Sequence, residues 1–389
     1  MLALAMTAST LVVPAYSTLS RFLIEDLGLS RSQLGWLISS IAGVAAVLSP
    51  WVGRLADSFG GRTMLLAIFV GSVALLLGVA VAPTFAVLLL ASILAGFLNA
   101  AGNPATNKTV VAFIPPGERG TIVGVKQSGV QIGTLLAGIL LPGLSLALGW
   151  RAAIAVIAVV PAVGVVFAIR LKDEPLQAGI GSTLGTYRHP SGVRRIALYG
   201  FLMGAGVASI VSFLPLYAQE RIGLEVTEAG FAMALIGLMG IVARVIWSRS
   251  SETIGRFASP LRAIAALSVL AVSAIWAADY GASWLLWVGV LVSGSSVVAW
   301  NGVANLGAVA LVDARHVGHA SGLVVLGFLG GFAVSPVLFG YSVESTGSYD
   351  QGWAGVLISF AVAAGVMHAW NQEERRKGAT TVEADRPAP

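Results

Sequence analysis

The chain has 389 residues, 57% hydrophobic and only 11% charged, with a formal net charge of +5. Ordinary soluble domains carry about 25% charged residues, so this composition excludes a typical soluble enzyme or binding module and points to a bilayer as solvent. There is no cysteine, which removes disulfides, thiolate nucleophiles and cysteine–metal sites.

Twelve stretches supply the roughly 20 apolar residues that one crossing of the hydrocarbon requires. They lie near 2–24, 32–53, 63–82, 84–107, 119–142, 151–170, 196–219, 228–247, 261–279, 283–306, 319–342 and 353–371. Most are bounded by polar or Gly/Pro-rich turns such as Pro115-Pro116-Gly117 and Gly223 to Thr227. The first is too long for a signal peptide and shows no cleavage site. A longer polar stretch separates the sixth span from the seventh. The expected organisation is a six-helix bundle over 1–171, a linker over 172–195, a second six-helix bundle over 196–371 and a tail over 372–389. This is an all-α membrane protein of twelve transmembrane helices. Lipid and a small molecule are the partners expected, with no nucleic acid, no cofactor and no metal; the expected state is a monomer.

Between the second and third spans stands Gly53-Arg54-Leu55-Ala56-Asp57-Ser58-Phe59-Gly60-Gly61-Arg62. It resembles the cytoplasmic loop G-x-x-x-D-x-x-G-R-[KR] of major facilitator superfamily transporters, with Gly53, Asp57, Gly60 and Arg62 matching and Gly61 where a basic residue is usual. A weaker copy follows the eighth span, where Glu252, Gly255 and Arg256 stand for the acid, the glycine and the arginine. The resemblance implies two parallel pseudo-symmetric bundles that rock about a central site, and a gating rather than substrate-binding role for these loop residues. With the loop placed in the cytoplasm, seventeen Lys and Arg residues fall on that side and only Arg31, Arg151 and Arg221 opposite. That asymmetry puts both termini inside, in a plasma membrane of bacterial inner-membrane type.

The halves repeat. A shift of 195 carries Gly28-Leu29 onto Gly223-Leu224, Gly35 onto Gly230 and Asp57 onto Glu252; a shift of 198 carries Asn103 onto Asn301, Asn107 onto Asn305, Gly129 onto Gly327 and Gly133 onto Gly331. Glycines at near-helical spacing in the fifth span, Gly129, Gly133 and Gly138, predict close helix packing. They loosely resemble the fifth-helix motif of superfamily antiporters, without its central Gly-Pro pair.

Ionisable residues at membrane depth are functional candidates, and here they are all positive. Arg21 sits near the outer end of the first span, Lys126 in the fifth and Arg244 in the eighth, whereas the acids fall in loops, tails or last turns. Arg244 resembles the eighth-helix arginine of the oxalate–formate exchanger and monocarboxylate branches, which binds substrate carboxylate; an Arg fork matches a carboxylate bidentately. The alternative for each cation is a head group that snorkels to the interface. Around them, Asn103 and Asn107 share a face of the fourth span, Gln127 and Gln131 one of the fifth, and Asn301 and Asn305 one of the tenth. Tyr16 and Tyr217 lie on spans that line the cavity in the superfamily, and Trp300 is placed to stack on an aromatic acid. No membrane-embedded carboxylate suggests a proton site, and no motif suggests an enzyme. The function expected is secondary transport of a small organic anion, a carboxylate, by alternating access; the competing reading is a multidrug or lipophilic-compound exporter.

Overall fold

A computed structural model describes residues 1–115, 119–171, 189–254, 257–313 and 316–384, helical almost throughout. Among these residues eleven segments are long and apolar enough to cross a membrane: Arg31–Leu55, Ser58–Ala80, Phe85–Val110, Val125–Leu148, Trp150–Ile169, Ser191–Glu220, Val226–Ser251, Ala258–Tyr280, Leu285–Ala310, Val317–Thr346 and Asp350–Glu373. They are the second to twelfth spans. The first is three successive short helices, Leu2–Thr10, Val12–Thr18 and Ser20–Leu27. Pro14 explains the first interruption: it has no N–H to give Thr10, and it is tolerated because it falls in the opening turn of the next helix. The seventh span begins at Ser191, directly after Pro190, so 191–195 is helix rather than linker. Leu90, Leu94, Val163, Phe167 and Leu338 are exposed on helix exteriors, as lipid contact requires.

The repeat in the sequence is a repeat in packing. A side chain at Gly129 of the fifth span would strike the Ala3 carbonyl of the first, and one at Gly327 of the eleventh would strike the Ala197 carbonyl of the seventh. One turn on, Gly133 faces Thr7 at ordinary contact distance and Gly331 closes on the Phe201 carbonyl. Two further contacts join the halves. Gly35 of the second span closes on Pro336 of the eleventh, and Gly230 of the eighth closes on Pro142 of the fifth. Each seam thus pairs a glycine on one helix with a proline on its partner, and small residues let backbones meet at van der Waals distance.

The two faces of the bundle differ. On the Arg31 face the halves are tied by Arg31 to Glu220 at 2.8 Å and by Ser32 to Glu344, while Tyr349 Oη of the second half also donates to Glu220 at 2.7 Å. On the opposite face the chain between the second and third spans stays helical up to a break at Gly60, with φ 80° and ψ 159°. That region is essentially restricted to glycine. The expected loop is therefore a sharp helix-to-helix corner. Arg62 reaches from it to the Ile169 carbonyl, 3.1 Å away at the end of the sixth span, where a cation meets the negative end of a helix. Gly53 is half-buried in the second span. The side chains of Asp57 and Glu252, and Gly255 and Arg256 entirely, lie outside the described residues.

Candidate functional site

Lys126 and Arg244 are the buried charged side chains among the described residues, 1% and 8% exposed. Neither snorkels. Arg244 lies on the seam between the fifth and eighth spans, and Lys126 sits beside it on the fifth span, facing the fourth; both are on the Gly60 side of the bundle's middle, and Arg244 is about two helical turns short of Ser251, where its span ends.

Lys126 Nζ is surrounded by neutral oxygens of the fourth span: Asn107 Oδ1 at 2.5 Å, Thr106 Oγ1 at 2.8 Å and Asn103 Oδ1 at 3.4 Å. Gln127 Nε2 also donates to Asn103 Oδ1, at 2.8 Å. An ammonium has donors and no acceptor, so it fixes which way both asparagine amides face. Their oxygens turn to the lysine and their NH2 groups turn away. The cluster therefore presents amide donors beside a positive charge. Asn107 is exposed, and Asn103 and Gln127 are half-buried, so the donors are reachable while the cation is sealed.

Arg244 spans three helices. Its Nη1 donates to the Gln127 carbonyl at 2.8 Å, and its Nη2 to the Val298 carbonyl at 3.0 Å and to Gln131 Oε1 at 3.4 Å. The Val298 carbonyl is available because the tenth span is broken. Leu285–Ser295 and Trp300–Ala310 are separate helices joined by a non-helical segment, with Ser296 at φ −126° and ψ −64°. Non-helical backbone at membrane depth survives only where its polar groups are satisfied internally. Here Arg244 takes the Val298 carbonyl and Trp247 Nε1 takes that of Ser295 at 2.8 Å. Arg244 Nε finds no hydrogen-bond partner, and neither does the buried side-chain oxygen of Asn301. An amide's oxygen and nitrogen are interchangeable by a flip, so Asn301 can turn its NH2 to that position. Asn305 is half-buried one turn further along the same helix face.

Other expected residues are placed elsewhere. Arg21 is exposed and paired with Glu25 at 2.8 Å. It lines a cavity of about 660 Å³ on the Arg31 face, where Arg31 and Arg221 are matched by Glu25, Glu220 and Glu344. Tyr16 is fully buried, its hydroxyl 3.4 Å from the Leu88 carbonyl. Tyr217 donates to the Ile275 carbonyl at 3.1 Å and packs edge-on against Tyr349 and Trp353. Trp300 is buried between Tyr199 and Phe328 with ring centroids 5.8 and 5.6 Å away. Thr106, Trp247 and the Ser295–Ala299 break join the site without having been singled out in the sequence. The signal for the break is Ser293-Gly294-Ser295-Ser296, since Gly/Ser pairs are places where helices kink.

A twelve-span helical bundle with two pseudo-symmetric halves, and buried polar groups on the seam between them, is the architecture of an integral, multi-pass membrane transporter. The chain belongs to the Major Facilitator Superfamily, which it matches over residues 1–324. It is 27% identical over 365 residues to a probable sulfoacetate transporter of Cupriavidus necator, covering 84% of this chain and 82% of that protein. It is 24% identical over 387 residues to the hexuronate transporter of Bacillus subtilis, covering 90% and 89%. The fold is shared with a bacterial homologue of the human lysosomal transporter Spinster, solved in an inward-facing and occupied conformation, at a TM-score of 0.78 and 16% identity with 95% of each chain covered.

Proposed function

We propose that the protein transports a small organic anion, a carboxylate, by alternating access, binding it at the seam between the fifth and eighth spans. The observation that carries this reading is the pair Lys126 and Arg244. Both are buried, both contact neutral oxygens, and no Asp or Glu is among the buried side chains of the described residues. A buried charge costs several kcal/mol of desolvation, so an anion that neutralises it is bound strongly. Arg244 supplies the planar fork, Asn301 and Gln131 flank it, and Asn103, Asn107 and Gln127 line the approach at Lys126.

The site also straddles the moving parts. Lys126 belongs to the first bundle and Arg244 to the second, so an anion between them is held by both bundles, at the amides around the sealed lysine and at the guanidinium, and its binding energy can bias one state over another. The names of the two relatives, a sulfoacetate and a hexuronate transporter, both specify anionic substrates and support the same class. On this reading the Gly60 face is cytoplasmic, the membrane is the inner one, and the molecule is closed to the outside by the Arg31–Glu220 and Ser32–Glu344 contacts.

The test is uptake into proteoliposomes of labelled carboxylates, with lipophilic cations in parallel. Carboxylate uptake by the parent that is lost in Arg244→Gln supports the reading. Movement of lipophilic cations with no carboxylate flux would make the protein an exporter of the other kind.

A further inference from the structure

The site contains two cations rather than one, held by opposite halves and joined through a single residue. Gln127 gives its carbonyl to Arg244, and its side chain donates to Asn103, the same oxygen that Lys126 faces. A group bound at Arg244 is therefore within a short aliphatic chain of a group bound at the Lys126 amides.

We propose that the substrate carries two anionic groups on a short backbone, one held by Arg244 with Asn301 and the other by Lys126 with the amides of Asn103 and Asn107. This rests on the anion reading above and sharpens it. Four observations support it. First, a monoanion would neutralise one cation and leave the other uncompensated in a site that must exclude water as the halves close, whereas a dianion neutralises both. Second, each cation keeps a separate route to a ligand. Arg244 has an unpartnered Nε, and the unpartnered side-chain oxygen of Asn301 belongs to the residue next to Gly302, against which the Arg244 side chain packs, while the lysine subsite turns its amide donors outward through Asn107. Third, the pair is not needed to build a seam. The second and eleventh spans make the equivalent contact with Ser49 where the eighth has Arg244, and with Val324 where the fifth has Lys126. Fourth, the subsites differ in shape preference. A guanidinium fork fits a planar carboxylate, and a compact ammonium makes no such demand. The group at Lys126 can thus be a carboxylate or a tetrahedral sulfonate.

The experiment is thermal stabilisation of the purified full-length protein by matched acids of equal carbon number: malonate with propionate, succinate with butyrate, and glutarate with valerate. A ligand that binds only the folded state raises apparent stability by mass action. A second charge-assisted contact is worth about 1.5–3 kcal/mol. The best dicarboxylate should therefore act at a concentration about tenfold to a hundredfold lower than its partner. Lys126→Gln and Arg244→Gln should each abolish that preference, and Lys126→Arg should keep it. Asn107→Asp, which changes an exposed position and sets a carboxylate beside Lys126, should abolish it too, providing a second route if Lys126→Gln does not fold. Equal action of both acids of every pair on the parent would overturn the two-group inference while leaving the anion reading intact. Stabilisation by no acid of any pair would overturn both.

Discussion

Besides the first and seventh spans, which meet where Ser17 donates to the Val211 carbonyl, the halves are joined by two pseudo-symmetric seams that are mechanically alike but chemically unlike. In both, a glycine of one helix rests on a proline of its partner, Gly35 on Pro336 and Gly230 on Pro142. One seam then carries Gln127, Gln131 and Arg244, with Lys126 beside it, where the other has Val325, Leu329 and Ser49. The apolar seam shows what packing alone needs: small residues and close backbones. Whatever the polar seam adds is surplus to assembly and costly to bury. That surplus is where function is to be sought.

The comparison can be broken most severely by moving the charge. Val324→Lys sets a buried ammonium at the position equivalent to Lys126, with neither Asn103 nor Thr106 to receive it. Chemical denaturation or thermal melting in detergent should show destabilisation of about 3 kcal/mol with no gain of anion affinity. Retained stability would mean that the two seams are not so different in polarity. Arg244→Ala is next. It should weaken carboxylate binding about tenfold to a hundredfold, and Arg244→Lys should restore only part, because a point charge cannot form the fork. Titration calorimetry reads both.

The likeness of the seams can be sharpened with a paired substitution. Gly35→Ala and Gly230→Ala each push a methyl into a partner helix and should each lower stability by about 1–3 kcal/mol. Melting temperatures should fall by similar amounts for the two. A fall in one alone would break the pseudo-symmetry. The smallest effect belongs to the outer tie. Arg31→Gln removes a partly exposed ion pair with Glu220 and should change stability by about 0–1 kcal/mol. Its visible consequence should be conformational, as faster labelling of a cysteine placed at Ser32.

Much of this was legible in the chain because membrane proteins announce themselves through length and polarity. The spans follow from apolar runs, and the repeat from paired glycines whose partners proved to be equivalent backbone contacts. The three candidate cations were legible as a class, since a charge among apolar neighbours stands out. Their fates were not. Arg21 and Arg244 look alike in sequence, yet Arg21 finds an acid four residues along its own helix, while Arg244 finds carbonyls on two other helices. Long-range backbone acceptors leave no trace in composition. The break after Ser295 was hidden for the same reason. Ser and Gly there also suit an unbroken helix, and the hydrogen bonds that stabilise the break come from the eighth span. Tyr16 and Tyr217 show the same limit: a buried phenol on a cavity-lining helix is also well placed to bond a neighbour's carbonyl, and that is where both hydroxyls go.

The most direct measurement is a calorimetric titration of the carboxylate that the uptake assay selects into three proteins: the parent, Arg244→Ala and Ser49→Ala. Arg244 and Ser49 occupy equivalent places on the two seams, so the pair isolates chemistry from position. The affinity should fall about tenfold to a hundredfold with Arg244→Ala and stay unchanged with Ser49→Ala. An affinity unchanged by Arg244→Ala, or weakened by Ser49→Ala instead, would contradict the assignment of the site to the seam between the fifth and eighth spans.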